Sequence, residues 1–281
     1  MDWLQAQKSL TTRLLPLYGD REAAIITDWV LENLSGWKKI DRILHRSEPL
    51  APQALTTYER YTQELLSHRP VQYVLHESWF AGMRLYVDEN VLIPRPETEE
   101  LVEWVLASIP PTSTILDVGT GSGCIPIALA KKLPTSQIHA CDLSPKALEV
   151  AGRNAISQNT PITFHELDFL NPETWVSLPP ITCLVSNPPY IPATERSQMA
   201  THVTEFEPGL ALFVPDDDAL IFYRAISRFA REHMPGGSQI FVEIHEDLGE
   251  QVLNLFRSTG LSDSTLRQDL QGKDRMVKAT T

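Results

Sequence analysis

The chain has 281 residues, 42% of them hydrophobic, with 24 Lys and Arg against 36 Asp and Glu for a formal net charge of −12. That hydrophobic share excludes disorder as the main state, and the length suits one large or two modest domains. No stretch approaches the roughly 18 consecutive apolar residues of a membrane span; the longest runs, such as Gly209 to Val214, are of core-strand length.

Met1-Asp2-Trp3 shows neither the basic nor the apolar region of an export signal. Cys124, Cys141 and Cys183 form no Cys-x-x-Cys pair and are odd in number. A cytoplasmic protein without a membrane role or a cysteine metal cluster is therefore expected. The charge is unevenly placed. Residues 1–75 hold nine basic and nine acidic side chains, and residues 76–281 hold fifteen against twenty-seven. Gripping nucleic-acid phosphates needs a cationic footprint, so the second part argues against a nucleic-acid substrate.

Residues 1–70 read as a helical module. Ala54, Tyr58, Tyr61 and Leu65 form one helical stripe, and Ile26, Trp29, Val30 and Leu34 suggest another, with Gly36 and Pro49 as punctuation. With no glycine-rich loop or acid–base cluster, this module is expected to dock and not to catalyse. Residues 71–93 read as a β-hairpin linker: Val71, Tyr73, Phe80, Leu85, Tyr86, Val87, Val91 and Ile93 are β-formers, with turn signals at Gly82 and Asp88–Asn90.

From residue 94 to 281 the pattern is α/β. Leu101, Val102, Val105 and Leu106 mark a helix, and strands are expected at 114–118, 137–141, 162–166, 182–186, 238–244 and near 276–278. Helices are expected at 123–132, 145–158, 219–231 and 248–259. Strands alternating with helices of this length imply a parallel sheet covered on both faces, a Rossmann-like domain.

Asp117-Val-Gly119-Thr-Gly121-Ser-Gly123 joins the first of these strands to a helix. Glycine supplies positive φ in such a turn and lets a ligand approach the backbone. A dinucleotide fingerprint would put its third glycine at 124, where Cys124 stands. The observed spacing, with the acidic Asp117 before it, fits a loop under S-adenosylmethionine, which has no pyrophosphate to cradle; simple helix–strand packing also uses such a loop. Asp142 ends the next strand, placed to accept hydrogen bonds from both ribose hydroxyls, or else to cap the helix at Pro145, for which Ser144 is better placed. Asp168 could receive the adenine amino group, and Phe169 could pack on the ring.

Ser186-Asn187-Pro188-Pro189-Tyr190-Ile191 follows the fourth strand. Two prolines stop the ladder and stiffen the backbone at the carboxyl end of a strand. Such a corner is either a bland surface turn or a site for a planar NH2 group. In the second case the Asn187 side-chain oxygen and the Pro188 carbonyl accept its two N–H bonds, and Tyr190 stacks on its face.

These segments together closely resemble the PrmC/HemK family, N5-glutamine methyltransferases of class I peptide chain release factors. The resemblance rests on Pro70-Val-Gln-Tyr73, Leu92 to Thr98, Asp117 to Cys124, Ser186 to Ile191, Phe206-Glu-Pro208, Ala211-Leu-Phe213 and Lys273-Asp-Arg275, in that order. It implies a class I S-adenosylmethionine-dependent methyltransferase domain preceded by a small helical-bundle domain, without a metal. The substrate would be the glutamine of the release factor's Gly-Gly-Gln loop, held by Asn187, Pro188, Pro189 and Tyr190, with Asn187, Pro188 and Tyr190 carrying the chemistry. Gly119, Thr120, Gly121, Ser122, Gly123, Asp142, Phe169 and Asn187 would hold the cofactor. Arg95 and Glu97 would shape the substrate entrance, or form a structural salt bridge at a hinge. His76 stands where the family commonly has glycine, and Ile244-His245 replaces its usual Ile-Gly.

The nearest alternative is an adenine-N6 methyltransferase acting on DNA or RNA, which shares the planar-NH2 logic but needs a phosphate-gripping surface. A nicotinamide dehydrogenase is opposed by position 124 and by Asn187 to Tyr190. A non-catalytic scaffold is disfavoured by the intact Asp142 and Asn187.

Overall fold

The computed structural model describes residues 1–281. The chain folds as two compact units, Met1–Glu77 with Ala200–Phe206, and Ser78–Met199 with Glu207–Thr281. The first unit is built on α1 (Trp3–Ser35), α2 (Lys39–Leu44), α3 (Pro52–Leu66) and α4 (Val71–Leu75). Asp2 opens α1 with a reciprocal cap: its carboxylate accepts from Gln5 N at 2.7 Å, and the Gln5 side chain accepts from Asp2 N at 3.0 Å. The helix breaks at Gly19 (φ 71°, ψ 174°), three residues after Pro16.

Tyr58, Tyr61 and Leu65 bury the expected stripe of α3, and the Tyr58 hydroxyl donates to the Ala6 carbonyl at 3.0 Å, tying α3 to α1. On α1, Ile26 and Val30 are buried but Trp29 lies on the outer face. The β-forming residues Val71 and Tyr73 belong to α4 and not to a hairpin. Val71 and Val74 pack into the helical core, and that burial overrides their strand propensity. His76 ends α4 in the left-handed region (φ 51°), the conformation for which glycine is the usual choice.

The second unit begins with the hairpin β1 (Ser78–Phe80) and β2 (Met83–Leu85), turned by Ala81 and Gly82 with φ of 48° and 74°. There follow α5 (Pro96–Ser108), β3 (Thr114–Val118), α6 (Cys124–Lys132), β4 (Gln137–Asp142), α7 (Pro145–Ser157), β5 (Thr163–Glu166), β6 (Cys183–Ser186) and β7 (Ile191–Pro192). The short α8 (Thr201–Thr204) is part of the first unit. The chain continues through α9 (Gly209–Leu212), β8 (Phe213–Val214), α10 (Ile221–His233), β9 (Gln239–Glu243), α11 (Gly249–Ser258), β10 (Ser262–Gln268) and β11 (Asp274–Thr280). The apolar run Gly209 to Val214 is thus not one strand: it turns through α9 and then pairs as β8 with β7.

The main sheet has the order β10-β11-β9-β6-β3-β4-β5. Strands β9, β6, β3, β4 and β5 are mutually parallel, whereas β11 is antiparallel to both of its neighbours. The sheet is therefore mixed and not wholly parallel as expected. The reason is local: only five residues separate β10 from β11, too few for anything but a hairpin. Successive residues of the central strands alternate between two cores. Leu116, Leu184 and Ile240 face one, with Phe229 and Phe256; Ile115, Val185 and Phe241 face the other, with Ile127 and Leu129. Both faces are covered, which leaves the strand ends as the place for a ligand.

Candidate active site

The glycine loop leaves β3 at Val118 and is tied to β4. Gly119 N and Thr120 N both donate to the Cys141 carbonyl (2.9 and 3.0 Å), Gly121 N donates to Asp142 Oδ2 (2.9 Å), and Gly123 N donates to the Thr120 carbonyl (2.9 Å). An anion cradle needs its N–H groups pointed at the ligand; here those of Gly119, Thr120, Gly121 and Gly123 are already spent. Gly119 and Gly121 take φ of 73° and 52°, and a Cβ built on either would meet nothing within 4 Å. Their missing side chains leave room for a ligand. At Gly123 (φ 78°) a Cβ would come within 3.1 Å of Ala151 Cβ, so this third glycine serves helix packing.

A cavity of about 330 Å³ opens over this loop. It collects the carboxyl ends of β3, β4, β5 and β6: Gly119 and Gly121, then Asp142 to Ser144, then Leu167 to Leu170, then Asn187 and Pro189. The sheet order runs outward from β3 in both directions, through β4 to one edge and through β6 to the other. Ligands of open α/β sheets bind at such a switch point. Leu92, Leu210, Phe213 and Phe222 complete an apolar rim. Thr120, Ser122 and Gly123 are absent from the wall. Thr120 and Ser122 are buried, so of the expected cofactor loop it is Gly119 and Gly121 that line the cavity.

Asp142 is on the wall. Its two oxygens accept Gly121 N and Ser144 N, each at 2.9 Å, which leaves one lone pair on each for a pair of hydroxyls. Burial pushes its pKa up, against the pull of those backbone N–H groups. Ser144 caps α7 by accepting from Ala147 N, as its position suggested. Phe169 reaches the wall with its back against Trp175 and Phe229, whose ring centroids lie 5.5 and 5.3 Å away. Asp168 also faces the cavity, with Oδ1 accepting from Leu170 N at 2.9 Å. Asp117 lies behind the wall with no exposed surface, its carboxylate facing the buried Thr120 hydroxyl, which favours its charge. Burial pushes its pKa up to about 7.

Beyond β6, Asn187 donates from Nδ2 to Thr98 Oγ1 at 3.0 Å, and Thr98 Oγ1 donates to Glu243 Oε2 at 2.7 Å. The other end of the amide, Oδ1, is left as an acceptor. Tyr190 donates to Glu243 Oε1 at 3.3 Å. Pro188 and Tyr190 do not line the cavity: Pro188 is buried, and the half-buried Tyr190 ring packs against the core around Tyr223. Of the four residues expected to hold the amide, the structure puts Asn187 and Pro189 on the wall.

Arg95 and Glu97 are likewise off the wall. Arg95 Nη2 pairs with Glu207 Oε1 at 2.6 Å, and Glu207 Oε2 accepts from Ile93 N at 3.2 Å. Glu97 Oε1 accepts from the Gln271 side chain at 3.1 Å. For Arg95 a salt bridge is observed, and with the Ile93 bond its effect is to tie the segment that carries Leu92 to Glu207. Arg95→Ala would leave the Glu207 carboxylate, whose side chain is only 1% exposed, without its counter-ion. Arg95 itself is partly exposed, so the expected cost is about 2 kcal/mol, below the 3–5 typical of a fully buried pair. Urea denaturation measures it, and a change under about 0.5 kcal/mol would show the pair to be dispensable.

Comparison with known proteins places these features. The PrmC N-terminal domain family matches residues 5–75, and the methyltransferase small domain family matches residues 98–205. A release factor glutamine methyltransferase of Flavobacterium psychrophilum is 39% identical over 270 residues, covering 94% of both chains. One from Streptococcus pneumoniae is 42% identical over 76% of both chains. The chain belongs to the release factor glutamine methyltransferase family. A methyltransferase structure from Pyrococcus furiosus, 13% identical with a TM-score of 0.52, covers 79% of this chain and 98% of its own and agrees in fold alone. No helix of this methyltransferase is long and apolar enough to cross a membrane.

Within the family frame, one departure is closer to the site than its position in the sequence suggested. His245 lies beside Tyr190, with ring centroids 6.0 Å apart, and its Nε2 is 3.8 Å from Glu195 Oε2. Thr98, Glu207 and Glu243 were not assigned roles from sequence. Thr98 and Glu207 sit inside the Leu92–Thr98 and Phe206–Pro208 segments that carry the resemblance, and Glu243 sits beside His245. That placement was the available signal.

Proposed function

We propose that this methyltransferase transfers the methyl group of S-adenosylmethionine to the side-chain amide nitrogen (N5) of the glutamine in the Gly-Gly-Gln loop of class I peptide chain release factors. The observation that carries this reading is the orientation of Asn187: with Nδ2 anchored on Thr98, its Oδ1 acceptor is left for a ligand on the cavity wall. A primary amide NH2 is a double donor, and an acceptor pair made of Asn187 Oδ1 and the Pro188 carbonyl matches it.

The cavity suits the cofactor. A glycine loop with spent N–H groups is a poor host for a phosphate and an adequate one for a neutral or cationic chain. Asp142 offers lone pairs to ribose hydroxyls, and Phe169 offers an apolar face to a purine. Bound S-adenosylmethionine would supply an electrophilic methyl on a sulfonium. The residues of the chain then have two tasks. Asn187 and Pro188 draw on the N–H bonds, favouring the nitrogen as it pyramidalises and loses amide resonance, which stabilises the transition state more than the ground state. The stiff Pro188-Pro189 backbone would fix the position of the substrate nitrogen for transfer. Methyl transfer from sulfur to nitrogen would leave the nitrogen with a surplus proton, which would pass to water, so the corner needs no residue acting as general base. The helical unit, which matches the family's N-terminal domain, serves as the docking module for the release factor, and nucleic acid is not a direct substrate. The setting is the cytoplasm, where translation termination takes place.

The test is a methyl map. Purified protein, S-adenosylmethionine and a full-length release factor are incubated, and peptides are read by tandem mass spectrometry. A 14-Da increment on the Gly-Gly-Gln glutamine is expected; an unmodified glutamine, with methyl on added DNA or RNA instead, would reverse the assignment in favour of adenine.

A further inference from the structure

Glu243 ends β9, is 1% exposed, and is held from three sides. Thr98 of α5 donates to Oε2, Tyr190 donates to Oε1, and Tyr223 of α10 donates to its backbone carbonyl at 3.1 Å. Two of these partners lead to the Asn187–Tyr190 corner. A buried carboxylate joined to both ends of the substrate-binding corner is more than a core polar group that happens to be satisfied.

We propose that Glu243 is a positioning residue of the transfer reaction: through Thr98 it sets which end of the Asn187 amide faces the cavity, and directly it fixes the Tyr190 hydroxyl. The inference rests on the amide-methylation reading above and deepens it. Proton counting sets the orientation of the amide. Thr98 carries a single hydroxyl hydrogen. An ionised carboxylate is acceptor-only, so that hydrogen goes to Glu243, and toward Asn187 the hydroxyl can then show only a lone pair. Asn187 must answer with Nδ2–H, which turns Oδ1 toward the ligand. Take away the negative charge and the constraint inverts. A neutral carboxyl or carboxamide at position 243 can donate to Thr98, whose own hydrogen then becomes available to Asn187 Oδ1. The amide turns over and presents NH2 to a substrate that is itself an NH2 donor.

The groups facing Glu243 fix how this behaves with pH. Thr98 and Tyr190, which donate to it, and Arg275 of β11 favour its charge, whereas Glu97 of α5 opposes it; Cys124 at the start of α6 and Tyr223 of α10 also face it. Burial is the largest influence, and it raises the carboxyl to about 7. The orienting, charged form is therefore lost as the medium is acidified through neutrality.

The experiment compares wild type with Glu243→Gln, Thr98→Val and Thr98→Ser. It measures kcat and KM on a full-length release factor, cofactor affinity by calorimetry, and the Asn187 side-chain amide resonances by 15N NMR. Glu243→Gln and Thr98→Val should each lower kcat by about 10- to 100-fold, the range for a buried donor facing a donor. Cofactor affinity should stay within about twofold, and the Asn187 resonances should move in both variants. Thr98→Ser, which restores the hydroxyl, should recover the rate to within about threefold and return the resonances. The wild-type rate should fall on the acid side of about pH 7, and that limb should be missing from Glu243→Gln. Wild-type turnover in Thr98→Val, a Thr98→Ser variant as slow as Thr98→Val, or unmoved Asn187 resonances would each overturn the proposal. Should Glu243→Gln not fold, the near-isosteric Thr98 pair decides. Should the wild type methylate no glutamine, the functional reading falls, and the NMR comparison still decides whether Glu243 and Thr98 orient Asn187.

Discussion

Asn187→Ala is expected to lose about 10²-fold or more in kcat, the cost of deleting a preorganised transition-state partner, equal to about 2.7 kcal/mol. The reason is in the geometry of the amide. Its Nδ2 is anchored on Thr98 and its Oδ1 is the acceptor presented at the end of β6. Alanine removes both ends together, leaving the substrate nitrogen with the Pro188 carbonyl alone. The loss should appear in kcat and only weakly in cofactor affinity, because the glycine loop, Asp142 and Phe169 supply the rest of the cavity wall. Pre-steady-state methyl transfer with saturating release factor separates the two. A variant that turns over at the wild-type rate would remove Asn187 from the mechanism, and one that merely fails to bind cofactor would relocate its role.

The cavity-lining positions of this candidate site differ in how far local sequence reveals them, and the difference has a physical cause. Gly119, Gly121, Asp142 and Asn187 were legible because each is imposed by a local constraint: positive φ in a turn, a carboxylate at a strand end, a strand stopped by two prolines. The Asn187–Thr98–Glu243–Tyr190 network joins residues up to 145 positions apart, and no spacing rule links them. Thr120 and Ser122 were assigned to the ligand as members of a motif, but side chains of successive loop residues point different ways, and theirs are buried. Strand β10 was missed because its residues, Ser262 to Gln268, are polar and mostly exposed, as suits an edge that must not recruit other strands. The helix α4 was read as strand because Val71 and Tyr73 carry strand propensity, which packing outweighs.

The apo protein is expected to lose stability as pH rises from about 4 to 7, and Asp117→Asn to remove roughly half of that loss. Asp117 takes a proton at about 7 in the folded chain because burial penalises its charge, whereas its ordinary value is 3.8. Between those two values the unfolded chain is ionised and the folded chain still holds the proton. Protons bound are then more numerous in the folded state, and unfolding free energy falls with rising pH. Below 4 the contribution is fully present; above 7 it is gone. Glu243, raised from 4.5 to about 7 by the same cause, adds a second slope of the same sign. Each is on the order of 3–4 kcal/mol, at 1.36 kcal/mol per pKa unit. Urea unfolding at pH 5 and pH 8 reads the difference directly, and it is insensitive to whatever fixed cost a buried Asn amide brings. A wild type equally stable at both pH values would show that water or a local rearrangement already solvates Asp117. The same carboxylate makes a prediction for the loaded enzyme. A sulfonium and an ammonium brought to the cavity behind which Asp117 lies would favour its charge, so cofactor binding near pH 6.5 should release a fraction of a proton. Calorimetry in buffers of different ionisation enthalpy measures that fraction, which Asp117→Asn should reduce along with affinity. A buried acid whose charge would weaken the empty fold and would be favoured by a cationic ligand is a local inconsistency of the kind that marks a functional site.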